Sequence, residues 1–315
     1  AWTPEEADIN LQIEPDNEGG DRLVASINWS ASSPLRGQLE LDGPAGGLFA
    51  TLLRLEPEQS IAADFSAEGE PDSVNGQLLA QINGNEWVEF DLAPVDDSHS
   101  FEASIDLSRH PLTTELMPRL GSQVDIVGEL NLDDPVGSLG LLIQAKGLSL
   151  QVTEIETGEE SQSARLQLVS EAPDRILGTN AVSLGRLRTD GDVSLVDGIL
   201  VFNGDILAER IRAESADIER LTGPVMVRYG ENKVEVQPEF RAEDLVLRFR
   251  EDPARLDWLS LSAEAIFDLE TSQLRLARTN IETPASFLRA NGATTIDGNL
   301  PADIRGDIRV NLAEF

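Results

Sequence analysis

The chain has no cysteine in 315 residues, which removes disulfides, thiolate metal ligands and cysteine nucleophiles together. That absence fits an oxidising compartment, where stray thiols are a hazard. Lysine is nearly missing as well. Only Lys146 and Lys233 occur, and 24 Lys and Arg stand against 57 Asp and Glu, for a net charge of -33. Nucleic-acid binding needs a basic footprint to neutralise phosphates, so this balance argues strongly against it. The same field works against a protein that lies on anionic headgroups through a basic patch. The plainer reading of the charge is a solvated face that keeps an apolar sheet in solution. Aromatic residues make up 5% of the chain, thin for a compact enzyme. No run of eighteen apolar residues occurs, so no segment reads as a membrane-spanning helix.

Catalytic signatures are equally sparse. There is no Gly-x-Ser-x-Gly, no phosphate loop and no dinucleotide fingerprint. Of the two histidines, His99 falls in Asp96-Asp97-Ser98-His99-Ser100, read as a polar turn between two strands. A Ser-His-Asp relay needs partners brought together by the fold rather than crowded in one loop. His110 precedes Pro111 and reads as a helix boundary residue. A glycosidase would need one privileged carboxylate pair, and none stands out among so many acids. Asp190-Gly191-Asp192 and Gly204-Asp205 lack the nonapeptide calcium repeat, and no EF-hand loop appears. Arg305-Gly306-Asp307 lies inside an alternating segment, where an integrin-type role is a coincidence of sequence. Asn28-Trp29-Ser30 matches the glycan acceptor triplet but ends a strand-like run, and carries little weight. No enzyme activity, cofactor or metal is expected.

What the chain does have is one motif repeated from end to end: four to seven residues alternating apolar and polar, closed by Gly, Asp, Asn or Pro. Examples are Ile9, Leu11 and Ile13; Ile61, Ala63, Phe65 and Ala67; Val88, Phe90 and Leu92; Val124, Ile126, Gly128 and Leu130. A period of two sends each set to one face of a strand and its polar partners to the other. The expected fold is all-β: an elongated, mostly antiparallel meandering sheet curled into a groove, with at most one or two short helices. Pro111 to Leu120 is the expected helix, and Ile206 to Leu221 is read as strand. Turns are expected at Asp42-Gly43-Pro44, Asn83-Gly84-Asn85, Asp133-Asp134-Pro135, Asp190-Gly191-Asp192, Asn203-Gly204-Asp205, Gly223-Pro224, Gly230-Glu231-Asn232 and Asp297-Gly298-Asn299. Residues 1–315 read as one continuous repetitive sheet, with a possible seam at 154–163.

An amphipathic sheet must hide its apolar side by packing on a second sheet, closing into a barrel or curling into a trough. In the first two the apolar residues are core. In the third they line a channel whose natural guest is an acyl chain. The inward sets are mostly Leu, Ile, Val and Ala, with few large aromatics to fill a closed interior, which favours the trough. Its candidate lining is Leu39, Leu41, Phe65, Phe90, Ile105, Val124, Ile126, Leu130, Leu166, Leu168, Val225, Val227, Leu245, Leu247, Phe249, Leu274, Leu276, Ile308 and Val310. The rival is a secreted or cell-surface, adhesin-like repeat with a closed β core. A carbohydrate-active β-helix enzyme ranks last, because Trp2, Trp29, Trp87 and Trp258 are scattered.

Three stretches carry a family resemblance. Leu35-Arg36-Gly37-Gln38-Leu39-Glu40-Leu41-Asp42-Gly43-Pro44 followed by Gly46-Gly47-Leu48-Phe49-Ala50, the segment from Leu116 to Leu132, and the unit from Val193 to Tyr229 resemble the strand-turn-strand units of the TamB and AsmA-like envelope family. The resemblance implies a periplasmic segment of a longer protein anchored in the inner membrane of a Gram-negative bacterium, with a groove in the form of a β-taco. It implies phospholipid passage between inner and outer membranes, or outer-membrane protein assembly with a barrel partner. It carries over no catalytic residue, only inward apolar positions.

Overall fold

A computed structural model describes residues 6–15, 19–30, 33–70, 73–131, 139–157, 161–177, 182–248, 253–295 and 303–310. The alternating segments form a single antiparallel sheet of 20 strands that is not closed into a barrel. The chain divides into two compact units, Ala1–Lys146 and Gly147–Phe315. Residues 154–157 close one strand of the second unit and 161–163 open the next.

The first unit holds β1 (Glu6–Ile13), β2 (Arg22–Ser30), β3 (Ser33–Gly43), β4 (Ile61–Gly69), β5 (Asn75–Ile82), β6 (Asn85–Val95), β7 (Ser98–Asp106), β8 (Gln123–Leu130) and β9 (Gly140–Ala145). Each pairs antiparallel with the next. Short helices α1 (Leu48–Leu52), α2 (Pro111–Thr114) and α3 (Met117–Leu120) fill two of its connections. The expected helix over 111–120 is two helices. Pro118 has no N–H to give and its ring clashes with a carbonyl one turn back, so it is tolerated only in a first turn; here it opens α3. The α1 start is held from outside, with the Asp21 carboxylate accepting from the Leu48 and Phe49 amides at 2.7 and 3.1 Å.

The second unit holds β10 (Leu148–Thr157), β11 (Ser161–Ser170), α4 (Pro173–Leu177), the two-residue β12 (Val182–Ser183), β13 (Arg186–Val196), β14 (Ile199–Ala213), β15 (Ala216–Gly230), β16 (Lys233–Leu247), β17 (Ala254–Asp268), β18 (Gln273–Glu282), β19 (Ser286–Thr295) and β20 (Asp303–Val310). The ladder again runs in chain order, except that β11 pairs with β13 and β12 with β14. Four of these strands, β14 to β17, are 15 residues long.

Three expected turns are strand interiors. Asp190-Gly191-Asp192 lies in β13, Asn203-Gly204-Asp205 in β14 and Gly223-Pro224 in β15. They stack across the ladder, with Gly191 opposite Gly204 and Ile206 opposite Gly223. Glycine is there for close approach: a Cβ on Gly204 would lie 2.5 Å from the Asp190 carbonyl oxygen and 2.7 Å from Gly191 Cα, well inside van der Waals contact. The Asp42-Gly43 step ends β3, and Asn83-Gly84 and Gly230-Glu231-Asn232 are turns as expected. The expected turns at 133–135 and 297–299 lie outside the described residues.

The long strands also break the period of two at one shared level. In β14 the apolar phase runs to Ala208 and resumes at Ile211; in β16 it runs to Ala242 and resumes at Leu245. Arg210 and Asp244 take positive φ there, 55° and 52°, and neighbouring β15 and β17 slip at the same place. Because both strands of each pair slip together, Ile211, Ile218, Leu245 and Leu256 remain opposite one another, and the apolar face continues across the crease.

Candidate functional site: an uncovered apolar face

In the first unit the apolar phase of every strand falls into register with its neighbours. The central row runs Leu11, Ala25, Leu39, Phe65, Leu78, Phe90, Ala103, Ile126, Ile143, one residue from each of nine strands. A second row beside it runs from Ile13 through Leu41, Ile105 and Val124 to Ala145, and a third from Ile9 through Gly37, Gly76 and Phe101 to Leu141. No position in these three rows carries a polar side chain. Side chains from the third row's neighbourhood cover its glycines: the Phe101 ring occupies the space a Gly128 Cβ would need, and Phe65 stands over Gly37.

A side chain sealed between two layers is fully buried, and most of this face is not. Leu39, Phe65, Leu78, Phe90, Ile126 and Ile143 are half-buried, and at the β1 edge Ile9 and Leu11 are 55% and 49% exposed. The sealed core is small and sits at one margin, where Ile61, Ile82, Leu107 and Ala50 of α1 are 2–4% exposed. His110 fastens that margin. Its Nδ1 accepts from the Leu112 amide at 3.1 Å, so the ring proton is on Nε2, which donates to the Leu53 carbonyl at 2.9 Å. Trp87 stacks on the ring at 5.0 Å. This confirms a structural boundary role for His110.

His99 departs from expectation. It belongs to β7 rather than to a polar turn, in the apolar phase, opposite Pro94 and Leu130. It is 2% exposed, and neither ring nitrogen has a hydrogen-bond partner. The flanking polar residues of the sequence mislead here, because alternation turns Ser98 and Ser100 away while His99 points with Phe101. Among the described residues no cluster of three His, Asp or Glu is arranged to hold a metal, and no helix is long and apolar enough to cross a membrane.

One concavity in the first unit, about 1150 Å³, is lined by polar-phase Asp8, Asn10, Ser26, Arg36 and Gln38 together with Ile27, Gly37, Ala67, Gly76 and Leu92 of the third row. A second is lined by Gln38, Asp64 and Glu89 with Leu39, Phe65, Leu78 and Phe90 of the central row. Ion pairs such as Arg22–Glu40 at 2.9 Å and Arg36–Glu68 at 3.1 Å cross the polar face; being exposed, each contributes about 0–1 kcal/mol. In the second unit the Gln167 amide, with the Arg165 guanidinium, holds the Asp190 carboxyl below the ordinary carboxylate value. The three apolar rows of the first unit thus form a continuous face that is mostly half-buried.

The expected lining residues sort by unit. Leu39, Leu41, Phe65, Phe90, Ile105, Val124 and Ile126 fall in the three rows, and Leu130 lies one step beyond, opposite His99. In the second unit Leu166 shares a row with Gly191, Gly204 and Val225, and Leu168 lies opposite Leu150 and Thr189. Val227 joins Phe202, Val236, Ala265 and Leu276, while Leu274 joins Tyr229, Val234 and Phe267. Leu245 and Leu247 lie past the crease, and Ile308 continues a row through Leu288 and Ile281. Val310 is in β20 opposite Ser286; Phe249 lies outside the described residues. Comparison with family models, with curated proteins and with solved structures gives no match. Gly128 is already read in the apolar phase of its strand, whereas Gly191 and Gly204, read as turns, are the positions sequence reading missed. Their signal is a glycine in the apolar phase of an otherwise regular alternation, with a phenylalanine two residues away or on the next strand.

Proposed function

We propose that the apolar face is a non-enzymatic conduit surface for hydrocarbon, with phospholipid acyl chains as the guest. The observation that carries this reading is the set of three unbroken apolar rows over nine strands, half-buried rather than sealed. At about 4.8 Å per strand the rows span roughly 40 Å, more than twice the roughly 15 Å that one acyl chain contributes to a bilayer. The mechanism is passive. Each apolar position lowers the cost of holding a hydrophobic chain in water, by roughly 25 cal/mol per Å² of apolar surface covered, and the acidic opposite face keeps the open sheet soluble. The TamB-like resemblance and the cysteine-free composition support a periplasmic bridge that moves phospholipid between inner and outer membranes, or assists assembly of an outer-membrane barrel.

The reading is tested by what the protein retains. Purified without detergent from a bacterial envelope and extracted with organic solvent, the chain is expected to yield phospholipid in stoichiometric amount, with none from an acidic β-sandwich of similar size handled identically. A lipid-free chain that also fails to take up phospholipid from vesicles would favour a closed, adhesin-like core instead.

A further inference from the structure

Two connections of the first unit, residues 44–60 and 107–122, carry the three short helices α1, α2 and α3, and their leucines lie open to solvent. Leu48 and Leu52, one turn apart on α1, are 58% and 68% exposed, and Leu53 follows at 37%. Leu112 of α2 and Leu116 at the start of α3 are 58% and 41% exposed. The connections are tied together at one margin of the sheet. The Leu53 carbonyl accepts from His110, which caps α2, and the Gln59 amide donates to the Arg109 carbonyl at 3.3 Å. We propose that these five leucines form a docking surface for a zwitterionic phospholipid bilayer, which they enter at the headgroup boundary.

Charge sets this margin apart from the rest of the chain. The two connections hold Arg54, Arg109 and Arg119 against Glu56, Glu58 and Glu115, a net of zero in a chain of -33. Lys146, one of only two lysines, joins them, its amide bonded to the Leu120 carbonyl at 2.9 Å. Arg54 and Arg119 are exposed and have no ion pair among the described residues. Their stems can lie along acyl chains while the guanidinium stays among headgroup phosphates. Neutrality at the contact suits a zwitterionic surface, since the field of the remaining chain opposes an anionic one. A protein partner would call for other residues: interface anchors are mainly Trp, Tyr and Arg, with leucine under-represented. Leucines beside snorkelling cations are instead the composition of a segment that rests in a membrane interface. The margin also borders the apolar face, because Ile61 and Leu107 are each two residues from Ala63 and Ile105 of the second row. A bilayer held there would lie next to the rows on which an acyl chain is proposed to rest, although the docking itself does not depend on that guest.

Cosedimentation of the 315-residue chain with phosphatidylcholine vesicles tests it. A partition constant of about 10⁴ M⁻¹, that of a single myristoyl anchor, is expected, so that about half the chain pellets near 0.1 mM lipid. Leu52→Glu and Leu112→Glu are each expected to lower the partition at least about tenfold, and Leu52→Met to keep it within about twofold. Both positions are exposed, so the melting temperature should not move. Val127→Glu, at an exposed valine of the sheet, is the control and is expected to bind as the parent does. Ile126→Arg separates docking from carriage: it is expected to lose retained phospholipid yet still pellet with vesicles, whereas Leu52→Glu keeps its retained phospholipid and stays in the supernatant. A chain that ignores the vesicles overturns the proposal, and a self-association abolished by Leu52→Glu would then assign the leucines to a second copy. Binding indifferent to both glutamates overturns it too, as does binding that Ile126→Arg abolishes.

Discussion

Gly204→Val is expected to lower the melting temperature of the second unit by roughly 10 °C. The first carbon of any side chain at Gly204 meets the Asp190 carbonyl oxygen at 2.5 Å, Gly191 Cα at 2.7 Å and the Phe202 ring at 2.7 Å. Two of these three are backbone, which does not rotate away, so β13 and β14 must separate. Overpacking against a flexible neighbour costs about 1–3 kcal/mol, and against backbone the upper end or beyond applies. At about 2–4 °C per kcal/mol for a unit of this size, the drop follows. Gly140→Ala is the matched control. Nothing lies within 4 Å of its added carbon and its φ is not positive, so a change of less than about 0.5 kcal/mol is expected. Differential scanning calorimetry of both variants checks the close approach directly, and an unshifted Gly204→Val would show that the two strands are further apart than described.

Ile126→Arg is expected to cut phospholipid retention about tenfold or more while leaving the fold intact. Ile126 lies in the central row between Ala103 and Ile143 and is half-buried. The guanidinium can reach water, so the sheet tolerates it. A hydrocarbon guest does not, because Arg facing lipid costs about 2–4 kcal/mol at full depth. The control is its sequence neighbour. Val127 is 39% exposed in the polar phase of β8, and Val127→Arg is expected to retain lipid as the parent does. Equal retention by both variants would mean that the guest lies elsewhere.

These contrasts rest on how the sequence encodes the sheet. Val88, Phe90 and Leu92, or Val124, Ile126 and Gly128, alternate without interruption, and local patterning suffices to assign both strand and face. The same logic fails where the fold needs something non-local. Gly191, Gly204 and Gly223 look like turn formers one strand at a time, and only the ladder reveals that Gly191 and Gly204 face each other. The expected strand over Ile206 to Leu221 is instead the end of β14 and the start of β15, separated by residues 214–215, because the three-residue step at Arg210 blurs the alternation by which a strand's end is recognised. His99 sits among polar letters and so reads as a turn, although its phase matches Phe101. Pro118 did carry its signal, and the helix at 111–120 divides beside it.

The face itself was legible in the alternation, and its openness only in the composition, whose inward sets hold few large aromatics to fill a closed interior. Whether a half-wet strand meets a second layer depends on curvature and on what lies across the sheet, and no alternation encodes that. The exposure of Ile9 and Leu11 and the half-buried state of Phe65, Phe90 and Ile126 are therefore the structural observations on which the functional reading depends.

The most direct measurement is a photocrosslinking map. A photoreactive amino acid is placed at Ile126 and Leu247 in the apolar phase, and at Glu129 and at Arg248, whose side chain pairs with Asp217 on the polar side, in chain isolated with or loaded with phospholipid. Lipid adducts concentrated at Ile126 and Leu247 and scarce at Glu129 and Arg248 are the expected result. Adducts equally frequent at all four positions, or absent from all of them, would contradict an apolar face that carries lipid.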